Sequence, residues 1–338
     1  MAALRPQIVD ALIVGAGPAG LNAALALARL QMTALVFDSS SFRNEGIKHM
    51  HTVASRDHAD PHEFRRIARE QITSRYHTVW FENTTITHAA KKLIGPDAKY
   101  DGFELKDDKD KTYQGRKIIL ATGSRDILPD IPGYKENWPQ HIYQCLGCDG
   151  YEQRDSPIGV LDASPMTSHL VQMAQQLDKR VTIFSNGPIS DTEPIQKNMK
   201  LSRALGAQID DRKIKRLVNN GPTHLEGVTI EFESGDPVTL GFIAHKPPTV
   251  NRAQDLIDQL GLDTVSVETG GHVKVVDLMV NETSVRGVFA AGDTMLMMKQ
   301  VVLSMAEGLK AAAGVMKQIG GEKAATVMKS LEENGEKL

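Results

Sequence analysis

Cysteine is almost absent from this chain. Two occur in 338 residues, and both fall in the hexapeptide Cys145-Leu146-Gly147-Cys148-Asp149-Gly150. With no second cysteine pair, a four-cysteine zinc site is excluded, and a mixed site would have to recruit distant histidines outside the spacings such sites use. A purely structural staple is a poor explanation too, because so small a loop constrains the unfolded chain little. A C-x-x-C spacing instead lets two sulfurs form a short, readily reduced bridge, which points to redox exchange. Charge is equally uninformative for polyanions: the formal net charge is −3, so nothing electrostatic argues for nucleic acid or an anionic membrane as partner. No apolar run reaches the ~18 to 20 residues of a membrane span. Met1 to Asp10 shows no apolar signal region ending in small residues. The expectation is a cytoplasmic protein of two domains in a reducing compartment, where a C-x-x-C cycles rather than stays oxidised.

What is present begins with a nearly continuous apolar run, Ile8 to Val14, leading into Gly15-Ala16-Gly17-Pro18-Ala19-Gly20, a helix-period segment from Leu21 to Leu30, a second apolar run from Ala34 to Phe37, and Asp38. Strand, glycine turn, helix, strand and terminal acid is the pattern of a dinucleotide-binding βαβ unit. Gly15 permits the tight turn, Gly17 lets backbone approach a pyrophosphate, and Gly20 lets helix and strand pack closely. The pyrophosphate sits at the helix N-terminus and Asp38 accepts from a ribose hydroxyl. Ser39 to Arg75 is polar, with His49, His51, His58 and His62; it reads as a solvated loop followed by a helix over roughly His62 to Ser74, without the spacing of a zinc protease, so no metal is expected. Tyr76 to Lys117 reads as small strands of an antiparallel insertion, followed by a strand into Ala121-Thr122-Gly123 and a proline-bearing crossing, Ser124 to Gly133.

A second βαβ pattern runs from Ile158 through Phe184, but its turn, Asp162-Ala163-Ser164-Pro165-Met166-Thr167, has no glycine. Asp162 places a carboxylate where a pyrophosphate belongs, and Pro165 removes an amide that could cradle it. After the next strand, Ser185-Asn186-Gly187 offers no arginine pair for a 2′-phosphate. The fold is kept and the nicotinamide site is missing. Thr239 to Val250 reads as the return crossing. The strand Gly287 to Asp293 ends in Gly-Asp, placing an acid beside a polyol and helix amides beside a phosphate or flavin ring. A helix follows from about Gln300 to Ile319, then a charged surface helix from Gly320.

Gly15 to Gly20, Ala121-Thr122-Gly123, Cys145 to Gly150 and Thr283 to Asp293, in this order, resemble the low-molecular-weight thioredoxin reductases over nearly the whole chain. The resemblance implies an α/β fold of two Rossmann-like, three-layer domains: a discontinuous FAD domain, residues 1–123 and 244–338, and an inserted central domain, 124–243, carrying the C-x-x-C. It also implies a homodimer. FAD contacts are expected at Gly15, Gly17, Pro18, Ala19, Gly20, Asp38, Thr122, Gly123, Gly292, Asp293, Gln300 and Val301. Within the broader family, the loss of the glycine turn and of a His-Arg-Arg stretch near Ser185 resembles the gliotoxin- and holomycin-type dithiol oxidases. Phe37-Asp38-Ser39, His49-Met50-His51, Asp57-His58, Asp149-Gly150-Tyr151-Glu152 and Gly241-Phe242-Ile243 carry that likeness. It implies a small-molecule dithiol substrate, O2 as acceptor and H2O2 as co-product. By family pattern Cys145 meets the substrate, Cys148 faces the flavin and Asp149 shuttles protons; His141 is a weaker base candidate. Two alternatives stay open: a disulfide reductase fed by NADPH or a ferredoxin-like donor, and a flavin-bearing redox sensor.

Overall fold

The computed structural model describes residues 4–161 and 163–334; Asp162, whose carboxylate figured in the turn above, lies outside the described residues. The chain divides into two compact units. The first comprises the chain up to Glu45, His62–Asp126 and the segment from Thr249 onward; the second comprises Gly46–Pro61 and Ile127–Pro248. The excursion Gly46–Pro61, which chain order alone would leave with the FAD segments, belongs to the second unit. The divisions fall at Asp126 and Pro248 rather than at Gly123 and Ile243.

In the first unit β1 (Ile8–Val14), α1 (Pro18–Arg29) and β2 (Ala34–Phe37) form the anticipated βαβ, with β1 and β2 parallel in register from Ala11 opposite Ala34 to Val14 opposite Phe37. α2 (Pro61–Arg75) leads to β3 (Val79–Glu82), which joins the same parallel sheet beside β2. The antiparallel insertion is therefore shorter than expected: only β4 (Ile86–Ile94), β5 (Tyr100–Asp107) and β6 (Thr112–Leu120) pair antiparallel, and β6 also runs parallel to β1. The strand Val288–Ala290 lies parallel to β6 on its other side. A strand buried on both faces must be apolar at every position. From Ala11 onward β1 obeys this, sending Ala11 and Ile13 into one core and Leu12 and Val14 into the other; Asp10, before them, is only half-buried and accepts from Thr33. The helix Val301–Glu333 packs on α1, where small residues let the backbones meet; a side chain at Gly308 would strike the carbonyl of Ala19. This helix runs on through Gly320-Gly321 as one element, fastened by Glu322 to Lys117, to the Tyr100 hydroxyl at 2.5 Å and to Arg116 at 3.2 Å.

The second unit holds a five-stranded parallel sheet, in the order Gln208–Asp210, Val181–Phe184, Ile158–Leu161, Phe242–Ala244, Ile142–Tyr143. The helices Thr167–Ala174 and Glu193–Ala204 pack together, and Val171, Ala174 and Met199 enter one core with Val160 and Ile183. A three-stranded antiparallel sheet, Ile214–Asn219, Val228–Phe232 and Val238–Leu240, completes it. Each unit is thus built around a parallel sheet with βαβ connections, the Rossmann-like arrangement expected. Among the described residues no helix is long and apolar enough to cross a membrane.

Candidate active site

The edge strand Ile142–Tyr143 delivers the chain to Cys145, whose extended backbone caps the single helical turn Leu146–Asp149. The Cys145 carbonyl accepts from the amides of Cys148 (3.0 Å) and Asp149 (3.1 Å), folding the two sulfurs together. They form a disulfide with Cα atoms 5.2 Å apart. Leu146 is buried in the core of the second unit and anchors the turn, and Gly150 cannot carry a side chain without striking the Leu146 carbonyl and Leu177. Gly147, at the apex, is exposed with nothing within 4 Å of where its side chain would be. Both cysteines are half-buried, so within this unit a thiol can approach across Gly147. A one-turn helix supplies little macrodipole to the two sulfurs.

Asp149 is half-buried, and its carboxyl is raised to about 6 first by burial; His51 pulls it down and Glu152 pushes it up. Burial, with the charges of Asp149 and Glu152, also holds the Tyr143 phenol above its ordinary range. A carboxyl titrating near neutrality, one residue from a sulfur, can take and return a proton during thiol exchange. Native Asp149 therefore binds a proton more tightly than the unfolded chain, whose carboxyl titrates near ~3.9. The sign follows: stability falls as pH rises from about 4 to about 6, by roughly 1–3 kcal/mol once partial exposure is allowed for. Asp149→Asn is expected to stabilise the oxidised protein by about that amount at pH 7.5 and by little at pH 4. Urea melts at the two pH values check this, and an equal effect at both would contradict it.

The histidines fall into different places. In the second unit His51 lies with Nε2 3.3 Å from Glu152 and 3.0 Å from His58 Nδ1, while the His49 ring stacks on His58 at 4.0 Å. His62 belongs to the first unit, near Glu45 at 3.4 Å. His141 is buried with Nε2 2.7 Å from the Gly221 carbonyl, so the weaker base candidate is engaged in holding a loop. His51 and Glu152 were read from sequence only as members of two separate motifs, without a role; that they meet beside Asp149 shows only in space.

The predicted cofactor residues gather at the carboxyl ends of parallel neighbours in the first unit, where open α/β sheets bind ligands. Gly15, Gly17, Pro18, Ala19 and Gly20 form the β1–α1 turn. Gly15 has φ +113°, and a side chain there would strike the Ala121 carbonyl; one at Gly20 would strike that of Gly15. Gly17, by contrast, has open space where a side chain would be, and no side chain caps the helix. Asp38 ends β2, accepting from the Ser40 amide at 2.8 Å with Arg69 at 3.5 Å. Thr122 and Gly123 follow β6; the Gly123 amide donates to Thr294 at 2.9 Å. Gly292 and Asp293 follow Val288–Ala290, and Gln300 caps the long helix whose first residue is Val301. Burial raises the Asp293 carboxyl, offset by Arg43 3.7 Å away and by Lys299. Arg43 also grips Asp126 at 2.7 Å, a link that sequence order hides. Beside Gly123, the Ser124 hydroxyl is buried with no hydrogen-bond partner among the described residues. Uncapped amides, a bare glycine approach, an acid at the end of β2 and an orphaned hydroxyl fit a phosphate- and polyol-bearing group. The residues that would hold it are those twelve, with Ser124.

The second βαβ turn is built differently. The Ser164 amide donates to the Thr167 hydroxyl (2.8 Å), the Met166 amide to the Ser164 hydroxyl (3.2 Å) and the Thr167 amide to the Ser164 carbonyl (3.1 Å). Pro165 has no amide. The amides of Ser164, Met166 and Thr167 are thus spent on the turn itself. After Phe184, Asn186 accepts from the Ile214 amide at 2.9 Å, and Arg212 is committed to Asp210 at 2.6 Å.

Residues 9–308 match the family model described as pyridine nucleotide-disulphide oxidoreductase. The chain is 44% identical to "Thioredoxin reductase tcpT" of Claviceps purpurea over 87% of its own length and 89% of the relative's. It is 38% identical to "Thioredoxin reductase sirT" of Leptosphaeria maculans, over 95% and 97% of the two chains. Among solved structures, an oxidoreductase from Agrobacterium tumefaciens superposes with a TM-score of 0.82 at 28% identity, covering 92% of this chain and 98% of that one. The cofactor is FAD.

Proposed function

Because this chain belongs to the pyridine nucleotide-disulphide oxidoreductases, we propose that it is an FAD-dependent dithiol oxidase. It closes a disulfide in a small-molecule dithiol, of the natural-product type that the resemblance implies, with O2 as acceptor and H2O2 as co-product. The observation that carries the reading is the Ser164–Thr167 turn, which satisfies its own amides while the Cys145–Cys148 disulfide stands complete. An enzyme with that pair of features is equipped for thiol exchange and lacks a phosphate cradle for a nicotinamide donor.

In the proposed reaction a substrate thiolate attacks Cys145 Sγ, the Cys145–Cys148 bond breaks and Cys148 departs as a thiolate. The second substrate thiol then attacks the substrate sulfur held on Cys145, forming the product disulfide and releasing the Cys145 thiolate. Asp149 accepts a substrate proton and returns it to a departing sulfur. FAD supplies the two-electron chemistry that restores the protein disulfide and meets oxygen. The net change is dithiol plus O2 to disulfide plus H2O2, which balances in atoms and electrons. A homodimer is part of the proposal, on the strength of the resemblance.

The relatives are called thioredoxin reductases, which favours a second reading, disulfide reduction; its donor would be NADPH or a ferredoxin-like protein. An oxygen electrode separates the two. With a small aromatic dithiol, oxygen uptake should match disulfide formed one for one, and catalase should return half the oxygen. Absence of uptake with dithiols, together with NADPH-driven reduction of thioredoxin, would overturn the proposal.

A further inference from the structure

We propose that His51, His58 and Glu152 form a binding site for a divalent cation of the zinc class in the second unit. His51 Nε2 lies 3.0 Å from His58 Nδ1 and 3.3 Å from Glu152 Oε1, and His58 Nδ1 lies 4.0 Å from the same oxygen. Zinc bonds of ~2.0–2.1 Å in tetrahedral geometry separate neighbouring ligand atoms by about 3.3 Å, so the triangle already has the size of one tetrahedral face. All three atoms converge on one point from different parts of the chain.

The backbone is bent to achieve this. Thr52, Ser55 and His58 all adopt left-handed conformations, at φ 62°, 68° and 60°, in a segment with no glycine. Each is a strained conformation for a residue that carries a side chain. The Thr52 amide donates to Asp57 at 2.8 Å, and Met50 pairs antiparallel with Ala59, which turns the two histidines toward each other. The His49 ring stacks on His58, with ring centroids 4.0 Å apart. Among the described residues His51 Nδ1 is buried without a hydrogen-bond partner, so the imidazole makes its polar contacts through Nε2, the atom that faces His58 and Glu152. Glu152 enters from the short turn Tyr151–Gln153, directly after the C-x-x-C helix.

The donor set decides the class of ion. Two imidazoles and one carboxylate suit zinc; calcium and magnesium take oxygen ligands, and Cu(I) prefers thiolate. His58 is exposed, which leaves a fourth position to water. A cation here fastens the Gly46–Pro61 excursion to the turn that follows Cys148, two segments of one unit. The site is independent of which electron acceptor the enzyme uses.

The test is a zinc titration of tag-free, full-length, FAD-loaded protein, stripped with EDTA and desalted, against a chromophoric chelator. A Cys145→Ser/Cys148→Ser form is run in parallel so that thiols cannot supply ligands. The expected result is one equivalent bound by both forms, with Ca2+ and Mg2+ failing to compete. His58→Ala and Glu152→Gln should each weaken binding by at least about tenfold, with circular dichroism and the flavin spectrum unchanged. The exposed position of His58 makes its removal tolerable to the fold. Failure of the unsubstituted protein to bind one equivalent, or binding unaltered in both variants, would overturn the proposal.

Discussion

Cys148→Ser and Cys145→Ser are each expected to reduce dithiol turnover by about 10³-fold or more while the purified protein stays yellow. A serine oxygen cannot take part in a disulfide, so neither the mixed disulfide nor the regenerated bridge can form. The loss should not extend to the cofactor. The two sulfurs sit on a turn of the second unit, whereas the glycine turn, Asp38 and Asp293 all belong to the first. The substitution is also nearly isosteric, and Cys145 and Cys148 are only half-buried, so little packing is lost. Stopped turnover with an unchanged flavin spectrum is therefore the signature of a chemical defect. Activity within tenfold of the parent in either variant would remove the disulfide from the reaction.

The second large effect is indifference to NADPH. Hydrogen bonds to a charged partner contribute ~1.5–3 kcal/mol each. With the amides of Ser164, Met166 and Thr167 already engaged and Pro165 offering none, a pyrophosphate forgoes on the order of 5 kcal/mol, roughly a 10³- to 10⁴-fold loss of affinity. Recovering those donors would require the turn to give up its own hydrogen bonds. Flavin reduction by NADPH should accordingly be slower than reduction by a small dithiol by about the same factor.

The local features were legible from sequence because they depend on neighbours in the chain. A glycine turn, an adjoining helix and a following strand lie within a few dozen residues, and the structure places Ile8–Val14, Ala34–Phe37, Ile158–Leu161 and Val181–Phe184 as strands where apolar runs predict them. The absence of glycine in the second turn was equally visible. What replaces it was not: Ser164 and Thr167 look like ordinary cap residues until their mutual hydrogen bonds are seen. Features made by distant segments were hidden. Glu322, far along the chain, clasps Lys117, Tyr100 and Arg116 and holds the last helix past Gly320-Gly321, where the sequence reads as one helix ending and another beginning. Val79–Glu82 went to the parallel sheet rather than the antiparallel insertion because β2 offered it an open edge. The histidine-bearing excursion, closed on itself by the Met50–Ala59 bridge, meets the rest of the second unit where His51 approaches Glu152, and no periodicity in Ser39 to Pro61 encodes that choice.

The most direct test of the dithiol-oxidase reading is an anaerobic titration of the flavin absorbance, with a small dithiol in one cuvette and NADPH in another, followed by air. The account predicts that about one equivalent of dithiol per flavin beyond that needed for the disulfide bleaches the colour, that NADPH at the same concentration does not, and that air restores the colour with peroxide formed. Prompt bleaching by stoichiometric NADPH would contradict it, and would mean that the Ser164–Thr167 turn opens to hold a nicotinamide donor after all.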